Sequence, residues 1–219
     1  MKFSILGVIF AAFMIPAAAQ ASILYTFGAG GDALPTHAMT VAGLTVQVSG
    51  YGPDYNALTN TGNVANINHH FNGWGIEGGT ADNRIGLNEA MSFNWYPNDV
   101  MLLSGVMFER GGAPIELFDL YVDGVLMLND FQILPDDPLS NLVSLDFSSY
   151  GLTGSLFTFV GQTPLVGPSS KQGFRIQQLV VNRVPEPSSL LITALGLLGV
   201  AITRHKRSHH KPGTGASAG

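Results

Sequence analysis

The sequence predicts an all-β body, an antiparallel jelly-roll-like β-sandwich, with an apolar signal helix before it and a transmembrane helix after it. Three observations carry this reading. Large apolar residues alternate with polar ones in several short windows, the period of a half-buried strand. Glycine and proline, 27 and 12 of the 219 residues, interrupt the body every several positions, as at Gly50-Tyr51-Gly52-Pro53 and Gly111-Gly112. Outside the two termini, no window longer than about ten residues keeps a 3.6-residue repeat. Many short strands separated by turn signals indicate a sandwich, and the lack of an internal repeat argues against a propeller or solenoid.

The elements follow in chain order. Met1-Lys2 is a positive start, Phe3 to Ile15 is apolar, and Ala17-Ala18-Ala19-Gln20-Ala21 ends the segment. Small residues at Ala19 and Ala21 suit signal peptidase, so residues 1–21 read as a secretory signal peptide cleaved after Ala21, or alternatively after Ala19. The body, 22–181, opens on a short strand over Ser22 to Phe27. Leu44, Val46 and Val48 alternate with Thr45, Gln47 and Ser49; Met91, Phe93 and Trp95 alternate with Ser92 and Asn94. Val100 to Phe108 is more continuously apolar and reads as a central strand covered on both sides. Asp123-Gly124 between Ile115–Val122 and Val125–Leu128 is a hairpin signal, because both turn residues tolerate φ > 0. Leu142–Phe147, Ser155–Val160 and Phe174–Val181 complete the expected strands, with Thr163–Gln172 as a loop.

Charge is segregated. Between Ser22 and Arg183, five Lys and Arg stand against 14 Asp and Glu, which leaves the body near −9. Nucleic-acid affinity rests on Lys and Arg, so a phosphate-backbone partner is disfavoured. The chain has no Cys, which removes a disulfide framework and cysteine catalysis.

The tail makes three demands in sequence. Each proline in Val184-Pro185-Glu186-Pro187-Ser188-Ser189 lacks an N–H and fixes φ, so 182–189 reads as an exposed linker. Leu190 to Ile202 carries no charge and no polar face. Counted from Ser188 to Thr203 it reaches roughly 24 Å, short of a ~30 Å hydrocarbon core, a mismatch that bilayer thinning and snorkelling Arg and Lys accommodate. Residues 190–203 are therefore expected to span the membrane. Arg204, Lys206 and Arg207 then keep 204–219 on the cytoplasmic side.

This ordered tail resembles the PEP-CTERM sorting signal of Gram-negative bacteria, through Pro185, Glu186 and Pro187, the Leu/Gly/Ala-rich run, and Arg204, Lys206 and Arg207. The resemblance implies an inner-membrane anchor with a periplasmic body and an exosortase-type membrane processing enzyme as partner. It also implies display at the cell surface or in an exopolysaccharide matrix. One departure is that the chain continues through Ser208-His209-His210-Lys211 to a Gly/Ser/Ala-rich end. The body also resembles those attached to this signal, through Gly73-Trp74-Gly75-Ile76, Asp82-Asn83-Arg84-Ile85, Asn88-Glu89-Ala90-Met91-Ser92-Phe93 and the Val122-Asp123-Gly124 turn, which implies a β-sandwich and no particular activity.

Within the body no strong catalytic motif stands out. His69-His70 would point to opposite faces of a strand and so not share a metal there. On a loop they could, with a third ligand from elsewhere, and the favoured reading is polar loop histidines beside Phe71. Glu77 and Asp82, in a Gly-rich loop, are the first candidates for a structural calcium ion, without the spacing of a calcium loop, as is the acidic pair Asp136-Asp137. Glu89, Glu109 and Glu116 are the carboxylates available for glycoside hydrolysis. No nucleophile elbow, zinc-protease helix, phosphate loop or dinucleotide fingerprint occurs, so no catalysis and no cofactor are expected. Sugar contact is the better second reading. Trp74, between two glycines, is expected as the more exposed indole, Trp95 as core, and Tyr51, Tyr55 and Tyr96 as further rings. A secreted carbohydrate-binding module or polysaccharide-acting hydrolase is the alternative to a non-catalytic surface or matrix protein.

Overall fold

Alternation and turn chemistry give the body its strands. The computed structural model describes residues 21–77, 83–96, 99–111, 115–134, 140–162 and 172–185, and Ala21–Val184 form one unit. Its strands are β1 (Ile23–Thr26), β2 (Thr36–Val41), β3 (Leu44–Tyr51), β4 (Ile67–His70), β5 (Gly73–Ile76), β6 (Ala90–Tyr96) and β7 (Met101–Arg110). They continue with β8 (Glu116–Val122), β9 (Val125–Ile133), β10 (Leu142–Asp146), β11 (Thr153–Gly154), β12 (Leu156–Gly161) and β13 (Phe174–Arg183). Among the described residues the only helical element is a single 3-10 turn, Ser148–Tyr150.

Two antiparallel sheets result. The first runs β10-β7-β13-β5-β4, with β1 on β13 and β11 on β7; the second runs β2-β3-β6-β12-β8-β9. The pairing is nested. β5 pairs with β13, β6 with β12, β7 with β10 and β8 with β9, so each pair lies inside the previous one along the chain.

The predicted patterns appear where large side chains alternate. On β3, Leu44, Val46 and Val48 are buried, and on β6 Met91, Phe93 and Trp95 are fully so. β7 lies between β13 and β10. Asp123 (φ 49°) and Gly124 (φ 80°) take the left-handed conformations the hairpin needs. β13 extends through Arg183, two residues beyond the expected body. Four strands had no clear sequence signal: β2, β4, β5 and the two-residue β11. His69 and His70 belong to β4 rather than to a loop, which is a correction to the sequence reading. β5, Gly-Trp-Gly-Ile, is a strand because its backbone is approached closely. A Cβ on Gly75 would lie 2.3 Å from the Asn83 carbonyl oxygen, and one on Gly73 (φ 122°) 2.7 Å from that of Ile176.

Aromatic rings join the sheets. Phe108 on β7 lies 5.2 Å from Phe118 on β8 and 6.0 Å from Phe159 on β12, ring centre to ring centre. Trp95, as expected, is core: its Nε1–H donates to the Tyr25 hydroxyl at 3.1 Å, and that hydroxyl donates to the Leu44 carbonyl at 3.1 Å. Both polar tips are therefore satisfied inside the apolar layer, as burial requires.

No helix among the described residues is long and apolar enough to cross a membrane. The expected signal helix and the expected span over 190–203 lie outside the described residues. Phe118 meets Phe108, Phe131, Phe159 and Phe174 at once. Phe118→Ala is expected to lower unfolding stability by about 3–5 kcal/mol, measured by denaturant titration; a change under about 1 kcal/mol would show that this cluster does not hold the sheets together.

Candidate functional site: a loop-covered cleft and the C-terminal signal

The 15 residues between β3 and β4 fold back over the outer face of the second sheet. A connection this long is uncommon unless it carries a function of its own. Its shape is set locally. Asn56 and Thr61 exchange backbone hydrogen bonds at 2.7 and 3.2 Å, making a small hairpin with Asn60 at φ 49°. The Asp54 carboxylate accepts from the Asn63 amide N–H at 3.1 Å and from its side-chain Nδ2 at 2.6 Å. Gly62 is required because a Cβ there would sit 2.9 Å from Tyr55 Cα.

Tyr55 anchors this loop. It forms a second small apolar cluster with Ala90 and Val160 on the outward face, against which Tyr51, Ala57 and Tyr121 pack. That is why Ala90, Thr158 and Val160, at outward-facing positions, are nonetheless buried. The Tyr55 hydroxyl donates to Asn60 Oδ1 at 2.7 Å. Burial pushes its phenol up to about 12, with a hydrogen bond to Thr158 pulling the other way. Tyr121 is raised too, by burial and then by the nearby Asp119 carboxylate.

Beside the loop lies an open cleft of about 450 Å³. The loop supplies one wall from Pro53 to Leu58; Asn88, Tyr121, Val160 and Gln162 supply the other. Gln162 Nε2 donates to Asp119 Oδ2 at 2.9 Å, and Asp119 Oδ1 accepts from the Asp130 N–H at 2.7 Å. Asp119 is nevertheless raised above the usual aspartate range, chiefly because it is desolvated. Of the rings expected at a sugar site, Tyr55 lines the cleft and Tyr51 packs beside it, whereas Asn88, Tyr121 and Gln162 carried no signal as site residues in the sequence.

The other candidates fall elsewhere. Trp74, expected as the exposed indole, is 2% exposed. Its ring stacks on His69 at 4.3 Å and 9°, His37 meets it edge-on, and its Nε1–H donates to the Gly28 carbonyl at 2.9 Å. Both neighbours and the covered face leave no platform for a sugar there. The side chain of Tyr96 lies outside the described residues. His69 faces this stack, whereas His70 contacts Phe71 and feels Arg175, Glu109 and Arg84. The two histidines therefore do diverge, as adjacent strand residues must. Burial holds His37 and His70 below the ordinary histidine value.

Glu77 sits exposed after β5, 3.3 Å from the Asn66 amide, while Asp82, Asp136 and Asp137 lie outside the described residues. Among the described residues no group of three or more His, Asp or Glu gathers as for a metal. The three glutamates are buried and engaged. Glu89 accepts from Gly86 N–H at 2.7 Å; Glu116 accepts from Gly111 and Gly173 N–H at 3.2 and 2.8 Å. Glu109 is held by Arg175 at 2.8 Å and Arg84 at 3.4 Å, and Arg175 Nε also donates to the Asn83 carbonyl. None of them lines the cleft.

At the C-terminal end, the Val184 N–H donates to the Val100 carbonyl at 2.8 Å and Arg183 pairs with Asp99. Pro185 is exposed; Glu186, Pro187, Arg204, Lys206 and Arg207 lie outside the described residues. A family model, the PEP-CTERM protein-sorting motif, matches residues 183–207. No curated protein and no solved structure matches the chain.

The Glu109 network gives a direct test of its structural role. Glu109→Gln leaves two guanidinium groups without their buried countercharge and is expected to cost about 3–5 kcal/mol of stability in a denaturant titration. A loss below about 1 kcal/mol would mean that solvent already screens the network.

Proposed function

We propose that this chain is an exported, non-catalytic protein of the cell surface or its exopolysaccharide matrix. One observation carries the reading: the sorting motif matched over residues 183–207. The motif implies export, membrane anchoring and processing by an exosortase-type membrane enzyme, followed by surface display. In this reading residues 1–21 direct export, and 190–203 anchor the chain in the inner membrane with the body periplasmic. Pro185, Glu186 and Pro187 are the element that the enzyme reads. Arg204, Lys206 and Arg207 stop transfer because moving cations across the bilayer is costly.

The body supports the same reading through its chemistry. It is acidic and contains no Cys. Its nested strand pairing is that of a jelly-roll-like sandwich, a scaffold that presents loops and sheet faces. The engaged, buried state of Glu89, Glu109 and Glu116 supports a binding role over hydrolysis.

The test is fractionation of cells expressing the wild type beside a variant with Pro185, Glu186 and Pro187 all replaced by Ala. The wild type is expected in the surface fraction without residues 190–203, and the variant in the inner membrane at the larger mass of a chain that has lost residues 1–21 but keeps its tail. The same size and location for both would overturn the sorting assignment.

A further inference from the structure

The cleft under the 52–63 loop has the makings of a ligand site that the sorting motif says nothing about. Its volume, about 450 Å³, falls within the ~300–1,000 Å³ typical of small-molecule sites. Among the described residues its lining contains no Lys, Arg or His to compensate a phosphate, sulfate or uronate. Asp54, the one carboxylate among the described lining residues, is already held by Asn63, and the others are uncharged. Among the described residues nothing bonds the Asn88 side-chain amide or the Tyr121 hydroxyl, and both residues line the cleft.

The polar groups are also held in place. Asn88 takes a left-handed backbone (φ 59°), and its N–H donates to the Gly161 carbonyl at 2.8 Å. Gln162 is fixed through Asp119 at 2.9 Å, and the loop opposite is tied by Asp54–Asn63 and by Tyr55–Asn60. A preformed site loses less ordering entropy on binding. Leu58, 83% exposed at the rim, adds an apolar surface beside these groups.

Amides and hydroxyls both donate and accept, which matches the paired donor and acceptor character of vicinal hydroxyls. A tyrosine face and an aliphatic rim match the C–H faces of a pyranose ring. We infer that this open cleft binds a neutral saccharide, supplied by an uncharged polysaccharide. The inference deepens the proposed matrix role and rests on it for the presence of such a polymer; the chemistry of the cleft stands by itself.

The test uses the full-length chain purified in detergent, passed over immobilised mannan, galactan and β-glucan, with alginate as the anionic control. Tyr121→Ala removes the ring, and Asn88→Gly removes the amide while preserving the left-handed backbone. The wild type is expected to be retained on at least one neutral glycan and not on alginate. Both variants are expected to lose retention at least tenfold with thermal unfolding midpoints near that of the wild type. No retention on any neutral glycan, retention on alginate alone, or undiminished retention by both folded variants would overturn the inference. Should Tyr121→Ala fail to fold, Asn88→Gly decides alone. Fractionation of cells expressing the same variants reads sorting separately, since neither touches the tail: normal surface location without glycan retention sinks the cleft and leaves the sorting reading intact.

Discussion

The structure depends on β13. This last strand of the body runs antiparallel to β7 over most of its ten residues, pairs with β1 toward its C-terminal end, and meets β5 at Ile176. It buries Phe174, Ile176, Leu179 and Val181 completely. Without it, β1 and the β4–β5 hairpin have no neighbour in the first sheet, and a long row of backbone donors and acceptors on β7 loses its partners. A buried unpaired backbone group costs about as much as a lost hydrogen bond, and here many would be exposed together. The body therefore closes only when its final strand is in place.

That constraint connects fold to sorting. β13 ends at Arg183, and the matched sorting motif begins at that residue. The Pro-Glu-Pro element starts two residues later, at Pro185, where the ladder has stopped and proline can remove no strand hydrogen bond. The last strand of the fold and the matched sorting motif thus meet at one residue, Arg183. The segment expected as a signal at the other end lies as close to the fold. β1 begins at Ile23, directly after the small-residue segment expected to be cut.

Some of this was legible in the sequence and some was not. β3, β6 and the β8–β9 hairpin announce themselves because one face is apolar in strict alternation, or because Asp123-Gly124 tolerates positive φ. β4 and β5 do not. Asn68-His69-His70 is polar, and Gly73 and Gly75 are there to let Ile176 and Asn83 approach, a demand set by residues about ten to a hundred positions away. Trp74 misled in a related way: flanking glycines suggest exposure locally, yet His69 across the β4–β5 hairpin and His37 from β2 cover it.

The cleft was the least legible feature. It depends on which sheet face the 52–63 loop lands on, and nothing in the loop's own composition decides that. Its residues come from the β3–β4 connection, the turn before β6, β8 and the end of β12, four places that only the nested pairing brings together. The tail was read easily for the opposite reason, since its three demands are contiguous. The most direct test of the central claim, that the fold keeps everything through β13 while processing removes the anchor beyond it, is intact-mass measurement of the surface-released protein. A mass corresponding to a chain that begins near Ser22, retains Arg183 and lacks residues 190–203 is the predicted result. A released form cut before Arg183, or one still carrying the whole tail, would contradict it.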